Sequence, residues 1–464
     1  MLAAMALAPP VVDAALLHRY DRPGPRYTSY PTALEFHGGV NEAAYLTALR
    51  QLATSNEALS LYTHLPFCHA RCLYCACNVV ISPRPEVAEP YLERLTREIR
   101  LVVRQLSEGK RVQQLHFGGG TPTYFTPQQL KQLMAVYREQ FIFTDDAEIA
   151  IELDPRVTSA AHLETLAEEG FNRLSVGVQD FDPQVQAAIA RQQPFAATQA
   201  LLQEARRLGF NSINCDLIYG LPYQTPTSFA DTTQQVIALK PERLAIYSFA
   251  YVPWLHPHQQ RLPPQALPQG QAKLELLATA REKLLAAGYQ DIGMDHFALP
   301  DDELALAQRQ GRLTRNFMGY TTAKAAALLG FGLTAIGSLA GGFFQNQKKL
   351  SRYHRALDEG CLPIERGYLL TPDDLIRGHV IREWMCNFKV DKGELTRRYG
   401  ICFDDYFAEE LDHLAQLEGE GFVVNTPEAL TATPLGRLFP RNVAMVFDKY
   451  LRAKRSQPSF SRTV

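Results

Sequence analysis

The chain has 464 residues, and its 47 Lys and Arg against 49 Asp and Glu give a formal net charge of −2. This length is sufficient for a large domain plus a smaller one, and it buries enough apolar surface to fold without disulfides. The balanced charge gives no indication of nucleic-acid binding, and the 46% hydrophobic content is that of an ordinary globular protein.

The N-terminal segment, residues 1–40, contains no long periodic element and lacks the basic start of a secretory signal. Its stretch RYDRPGPRYTSYPTA is rich in Pro, Arg and Tyr, which predicts an extended arm. Four aromatic side chains lie between Tyr20 and Phe36 and would be costly to leave in water. We therefore expect an arm that packs on the body of a cytoplasmic protein.

Residues 41–350 alternate short strand-like runs with amphipathic helical segments. The predicted strands are 60–64, 113–117, 148–153, 173–178, 212–218, 244–249 and 291–296. The predicted helices between them are 91–106, 127–140, 160–169, 196–208 and 272–287. This alternation predicts the α/β class, with a parallel sheet and a partial (β/α)6-type barrel.

The C-terminal region, residues 351–464, changes to mostly helical patterns with a short hairpin at 426–435, which predicts a separate α-rich domain. Just before it, residues 325–344 carry no charge over twenty positions, which is long enough for a membrane span. Five of these residues are glycine, which suits turns and close backbone approach. We expect a buried strand and loop there, lining a site, and no membrane span.

Four of the eight cysteines, Cys68, Cys72, Cys75 and Cys77, lie within ten residues directly after the first predicted strand. This clustering argues against an extracellular disulfide framework. A structural zinc module normally has a second ligand pair, which is absent here, and a thioredoxin-like Cys72–Cys75 pair would be crowded by two further thiols. A compact loop with C-x3-C-x2-C spacing is typical of an iron–sulfur cluster that keeps one iron free of the triplet, and Cys77 is either a fourth ligand or has another role.

Two further motifs follow the next strands. Residues 118–123, GGGTPT, come after the second predicted strand, where glycines let the backbone approach a ligand closely, although a plain turn has the same composition. Glu152 ends the third predicted strand. It is either a surface carboxylate or, if it faces the mouth of the barrel, a ligand for a ribose hydroxyl or an ammonium group.

The cysteine triplet, with Tyr74 directly before Cys75, resembles that of the radical S-adenosylmethionine (SAM) enzymes. A series of longer segments, in order along nearly the whole chain, resembles the oxygen-independent coproporphyrinogen III oxidase family of haem biosynthesis. These segments are PRYTSYPTA (25–33), PFCHARCLYCACN (66–78), FGGGTPTYF (117–125), ELDPR (152–156), NRLSVGVQDF (172–181), CDLIYGLPYQT (215–225), GMDHFA (293–298) and RNFMGYTT (315–322). The family usually has Gln where this chain has Met318, which puts one polar contact near the substrate in doubt.

The resemblance implies a radical SAM barrel with a [4Fe-4S] cluster and two molecules of SAM. It implies that Cys68, Cys72 and Cys75 ligate the cluster. It places Tyr62, Gly119, Glu152 and Ile336 at the first SAM, with Tyr62 and Glu152 expected to be catalytic. It places Tyr74, Gly120, Thr121, Gln179, Arg191, Asp216 and Ala250 around the second SAM. From the residues alone, Ala250 and Ile336 would be packing residues.

The implied reaction is the oxidative decarboxylation of two propionates of coproporphyrinogen III to vinyl groups, which gives protoporphyrinogen IX. The implied partners are this substrate and a low-potential electron donor such as a flavodoxin-type protein; we expect a monomer. Arg19, Arg22, Arg26 and the basic segment 437–464 are candidate partners of the propionates. The alternatives are a haem-binding chaperone of the same superfamily, a haem-opening methyltransferase relative and a simple electron-transfer protein. Cys77 and the long arm favour the oxidase.

Overall fold

The computed structural model describes residues 14–323, 325, 327–339, 341–453, 460, 462 and 463. The strands are β1 (Leu59–Leu65), β2 (Phe67–Cys68), β3 (Val80–Ile81), β4 (Arg111–Gly119), β5 (Ile142–Leu153), β6 (Arg173–Gln179), β7 (Ser212–Tyr219), β8 (Arg243–Ser248), β9 (Gln290–Gly293), β10 (His296–Ala298), β11 (Thr314–Asn316), β12 (Gly319–Thr321), β13 (Leu328–Phe331), β14 (Ile336–Leu339), β15 (Gly342–Asn346), β16 (Ile364–Leu369), β17 (Lys389–Asp391), β18 (Val423–Asn425) and β19 (Ala429–Ala432).

The helices in chain order are α1 (Ala14–Tyr20), α2 (Glu42–Ala53), α3 (Ala88–Val103), α4 (Pro127–Gln140), α5 (Ala160–Glu168), α6 (Pro183–Ala188), α7 (Phe195–Arg207), α8 (Pro226–Leu239), α9 (Gln271–Ala286), α10 (Glu303–Arg309), α11 (Leu350–Asp358), α12 (Pro372–Asn387), α13 (Lys392–Tyr399), α14 (Phe403–Tyr406), α15 (Ala408–Gly419), α16 (Pro434–Leu438), α17 (Pro440–Ala444) and α18 (Lys449–Ala453). Among the described residues, no helix has the length and hydrophobicity needed to cross a membrane.

A mixed sheet of twelve strands has the order β16-β15-β14-β13-β1-β4-β5-β6-β7-β8-β10-β9. Its central run from β13 to β8 is parallel, and the strands of both flanks pair antiparallel. Strands β1 and β4 to β8 are each followed by at least one helix, which confirms the predicted partial (β/α)6 barrel. Strands β1, β6 and β7 have no exposed residue, as expected for a sheet whose two faces are both covered.

Two stretches differ from the sequence-based expectation. Residues 291–296 form no seventh parallel strand but most of β9, a turn and the start of β10, because Gly293 and Met294 both adopt positive φ angles, of 137° and 50°, and reverse the chain. The glycine-rich stretch 325–344 contains strands β13 and β14 and the start of β15, rather than one strand and a loop.

The arm contains one short helix, α1, where the sequence predicted only extended chain; residues 1–13 lie outside the described residues. Tyr20, Tyr27 and Tyr30 are buried as expected, and they join the apolar core formed by α12 to α18 and the β17–β19 sheet. The barrel has its own, larger core. The three-domain division stays a prediction, and the pairing of β16 with β15 indicates that its second boundary lies nearer residue 370 than 350.

Candidate active site

The carboxyl ends of the parallel strands meet at one edge of the sheet, where they enclose a cavity of about 500 Å³. Most of the residues predicted from the sequence line it: Cys68, Cys72, Tyr74, Cys75, Gly119, Gly120, Thr121, Glu152, Gln179, Arg191 and Asp216. Tyr62, Ala250 and Ile336 are not among its lining residues. The structure therefore brings residues of β4 to β7, the cysteine loop and the segments after β4 and α6 into a single site of the size that small-molecule ligands occupy.

The cysteine loop begins where β1 ends and is closed by the short parallel pair β2–β3. Val80 donates its backbone N–H to Pro66 O at 2.8 Å, and Leu73 donates to Ile189 O at 2.9 Å. The Cys77 thiol hydrogen-bonds to Cys75 and lowers the pKa of Cys75 to about 7, which favours the thiolate form that binds iron. Backbone contacts on both sides thus hold the loop in place at the mouth of the barrel.

Two of the thiols contact hydrogen-bond donors, although burial raises the pKa of Cys68 to about 11. The Arg156 and Arg191 guanidinium groups approach Cys72 Sγ at 3.4 and 3.7 Å, and Thr121 Oγ1 lies 3.4 Å from Cys68 Sγ. Within the described chain, no three His, Cys, Asp or Glu side chains are arranged to hold a single metal ion. In a four-iron cluster each thiolate binds a different iron, so its ligands need not converge on one point. The loop thus fits a cluster better than the zinc alternative.

Asp154 organises the two arginines beside Cys72. It is buried and accepts hydrogen bonds from Arg156 Nη2 at 2.6 Å and from Arg191 Nη1 at 2.9 Å. Burial alone would raise the pKa of Asp154, but these two cations outweigh it and lower the pKa. Arg191 also donates to Gly177 O at 2.6 Å, and its buried Nε finds no partner among the described residues. Asp154 and Arg156 both lie in the ELDPR segment, but their role depends on contacts that the sequence does not show.

Each glycine of the GGG strip is required by a different neighbour. A Cβ on Gly118 would lie 2.7 Å from the Glu152 carboxylate, and one on Gly120 would lie 2.7 Å from the backbone of Pro66. Gly119 has φ = 117°, and a Cβ there would lie 2.7 Å from the His64 ring. The strip therefore lets β4 pass directly between Glu152 and the cysteine loop, which a plain turn would not require.

Glu152 is fixed at the cavity by two donors, Gly119 N at 3.0 Å and His116 Nε2 at 3.3 Å. Desolvation raises the pKa of this carboxyl, but the His116 and Gly119 hydrogen bonds more than offset it, and the pKa lies below its usual value. Tyr62 stacks on His116 at a centroid distance of 6.0 Å, and its hydroxyl lies 3.1 Å from His64 Nδ1. Tyr62 thus lies behind Glu152 and supports it through His116.

Asp216 lies deeper in the cavity, on β7. It accepts hydrogen bonds from Asn214 Nδ2 at 2.8 Å and Ser175 Oγ at 3.1 Å. Burial raises its pKa to about 6 despite these donors. The remaining two predicted residues do not line the cavity. Ala250 accepts a hydrogen bond from Gln259 through its carbonyl, and Ile336 packs its backbone against Gly330.

Comparison with known proteins agrees with this geometry. Residues 62–236 match the radical SAM superfamily, and residues 370–439 match the HemN C-terminal domain. The oxygen-independent coproporphyrinogen III oxidases of Salmonella typhimurium and Escherichia coli are 47% and 46% identical to the chain, covering 97% of it and 98% of each relative. The solved coproporphyrinogen III oxidase (HemN) from Escherichia coli, a radical SAM enzyme, superposes with a TM-score of 0.90 at 45% identity, covering 94% of this chain and 99% of that one.

The chain belongs to the oxygen-independent coproporphyrinogen III oxidase family. The radical SAM match includes the three cysteines, the glycine strip and Glu152, and this superfamily uses a [4Fe-4S] cluster and SAM. The HemN C-terminal match begins at residue 370, directly after β16. The family thus accounts for both the barrel and the helical domain.

Proposed function

We propose that the protein converts coproporphyrinogen III to protoporphyrinogen IX without oxygen, by oxidative decarboxylation of two propionates to vinyl groups. The observation that carries this proposal is the convergence of a three-thiolate loop, a glycine strip and an ionised Glu152 on one cavity in a chain of this family. Cys68, Cys72 and Cys75 would hold the cluster, and the cluster with SAM would supply the radical chemistry that removes hydrogen from a propionate. The protein itself positions the reactants and excludes water.

The cavity residues divide the binding tasks by their chemistry. Cys68, Cys72 and Cys75 hold the cluster, and the ionised Glu152 holds a cationic ammonium group. The remaining predicted residues hold two SAM molecules: Tyr62, Gly119 and Ile336 with Glu152 at the first, and Tyr74, Gly120, Thr121, Gln179, Arg191, Asp216 and Ala250 at the second. The unpartnered Nε of Arg191 supports a carboxylate ligand for the second SAM.

Electrons enter through the cysteine loop in this proposal. His69, Ala70 and Cys77 are exposed, so a low-potential donor such as a flavodoxin-type protein can approach the cluster from solvent. All eight cysteines are free, which supports a protein of the reducing cytoplasm rather than of an oxidising compartment.

The test is anaerobic reconstitution with iron and sulfide, followed by incubation with SAM, a reductant and coproporphyrinogen III. We expect protoporphyrinogen with two deoxyadenosines per molecule. The Glu152→Gln variant should lose about 100-fold or more in turnover at unchanged iron content, because it removes the charge that holds the ammonium group. Glu164→Gln, at an exposed position on α5, is the control. Tight haem binding without turnover would instead support the chaperone.

A further inference from the structure

Two further cavities, of about 440 and 230 Å³, open between the sheet and the C-terminal helices. They adjoin, since both are lined by Arg315 and Asn316 of β11, Ser338 of β14, and His379, Arg382 and Arg398 of α12 and α13. None of these residues lines the cavity that holds the cysteine loop. Their combined lining is polar and carries several arginines.

The larger cavity has an excess of positive charge. Four arginines, at 312, 315, 382 and 398, face two carboxylates, Glu383 and Glu394. Arg382 Nε lies 3.8 Å from Glu383 Oε1, which is too far for a short charge-assisted hydrogen bond. Burial and the neighbouring arginines lower the pKa of His379 to about 4, so this side chain is neutral at pH 7. The lining therefore has a net charge of about +2 at pH 7.

Arg315 has two guanidinium nitrogens that are buried without a hydrogen-bond partner among the described residues. These two nitrogens are Nε and Nη1, and the guanidinium lies 4.7 Å from the Tyr320 ring centroid. Arg26, by contrast, is paired with Asp295, and Arg243 donates to Asp302 at 2.7 Å. Buried guanidinium nitrogens without a partner are costly, and a carboxylate can satisfy two of them at once.

Arg315 also lies close to the cavity that holds the cysteine loop. Tyr247 lines that cavity, and the Arg26 guanidinium sits 5.5 Å from its ring centroid. The His296 ring packs edge-on against Tyr247 at a centroid distance of 6.0 Å and against Tyr320, the ring over which Arg315 lies, at 5.1 Å. These ring contacts connect the wall of the cysteine-loop cavity to Arg315.

We propose that Arg315, together with Arg382 and Arg398, binds the propionate carboxylates of the tetrapyrrole that are not reacting. This inference rests on the proposed function, whose substrate carries four such groups. Arg315 therefore replaces Arg19 as a candidate partner of the propionates. Arg19 is exposed and pairs with Glu420 at 3.2 Å. Binding of these carboxylates also gives the C-terminal helical domain a task, because Arg382 and Arg398 extend from α12 and α13.

The test uses the anaerobic, cluster-loaded enzyme and coproporphyrin III, the oxidised ring with the same four propionates, titrated by fluorescence. Arg315→Gln should raise the Kd about tenfold or more, because it removes a bidentate charged contact. Arg315→Lys should recover part of the affinity, since it keeps the charge. Arg207→Gln removes an exposed charge on α7 and should leave the Kd within twofold. The wild-type affinity should fall as salt is raised.

Iron content and the SAM dissociation constant check that each variant is folded. Should Arg315→Gln fail to fold, Arg382→Gln and Arg398→Gln at the rim of the cavities provide the same test, with an expected rise in Kd of about threefold each. Unchanged binding in the variants that fold, or no binding by the wild type, would overturn the proposal. If the wild type turns over coproporphyrinogen III but Arg315→Gln binds the porphyrin as tightly as the wild type, only the binding role of Arg315 is rejected. If porphyrin binding depends on Arg315 but the wild type shows no turnover, only the proposed reaction is rejected.

Discussion

Asp216 is a buried carboxyl group whose charge changes close to physiological pH. Its pKa is raised to about 6 because burial opposes ionisation more strongly than the hydrogen bonds from Asn214 and Ser175 favour it. An ionised Asp216 can accept two ribose hydroxyls, whereas a protonated one can accept fewer. We expect the KM for SAM to rise about fourfold between pH 7.5 and 5.5, as the ionised fraction falls. Asp216→Asn should bind SAM weakly at both pH values, and a wild-type KM that does not change with pH would contradict this role.

The same raised pKa has the opposite effect on stability. Because the folded state binds the Asp216 proton more tightly than the unfolded state, the stabilising contribution is complete below the ordinary pKa and is lost as the pH rises through about 6. SAM binding favours the ionised form of Asp216, whereas the stability of the fold favours the protonated form. Such a conflict between function and stability is expected of a binding residue rather than of a packing residue.

At the scale of elements, the glycine strip at the end of β4 holds the site together. Gly119→Ala would force a side chain into a backbone with φ = 117° and against the His64 ring. We expect a loss of about 1–3 kcal/mol in unfolding free energy, together with loss of SAM cleavage, because the Gly119 N–H that holds Glu152 would shift.

The matched control is Gly109→Ala. Gly109 also has a positive φ, of 70°, but lies in the turn before β4, with only the Ile142 side chain nearby at 3.4 Å. Urea unfolding and deoxyadenosine formation should both be affected in Gly119→Ala, and only unfolding in Gly109→Ala. Full SAM cleavage by Gly119→Ala would show that the strip acts only as a turn.

Elements were predictable from sequence where local signals and tertiary packing agree. Helix α4 matches its predicted range, 127–140, because Thr126 forms a capping box and Pro127 starts the helix. The β9–β10 hairpin was missed because strands of three or four residues have no readable period.

The site was predictable to the extent that its residues belong to recognised motifs. Asn214 and Ser175, the partners of Asp216, lie on β7 and β6, and only the register of these two strands brings Ser175 to Asp216. The unpartnered state of Arg315 depends on the packing of β11 against the C-terminal helices, which no sequence spacing shows.

At the scale of the whole molecule, the arm connects the two ends of the chain. Thr463 donates to Tyr20 O at 2.6 Å, and Pro23 forms a β-bridge with Arg462. Tyr27 donates to Asp448 at 2.9 Å, and Tyr30 belongs to the core of the C-terminal domain. The arm is therefore a structural part of that domain as well as a neighbour of the active site.

This packing determines what removal of the arm can show. Deleting residues 1–34 takes out three buried tyrosines, each worth about 1.5–3 kcal/mol of burial, so we expect the C-terminal domain to lose stability. Loss of turnover in the deletion variant would then reflect unfolding as much as any role of the arm over the substrate. Limited proteolysis should cleave the deletion variant first between α12 and α18, and a deletion variant with wild-type turnover and protease resistance would contradict this account.

A substitution at Arg26 separates the two roles of the arm. Arg26 pairs with Asp295 and lies over Tyr247 at the edge of the cysteine cavity, so it contacts the region where substrate would sit without contributing to the tyrosine core. We expect the double variant Arg26→Gln with Asp295→Asn, which leaves no unpaired buried charge, to keep its iron content and melting temperature but to lose about tenfold in protoporphyrinogen formation. Arg22→Gln, at an exposed position four residues earlier on the same arm, should retain wild-type turnover. Equal rates in the two variants would mean that the arm serves the C-terminal domain alone.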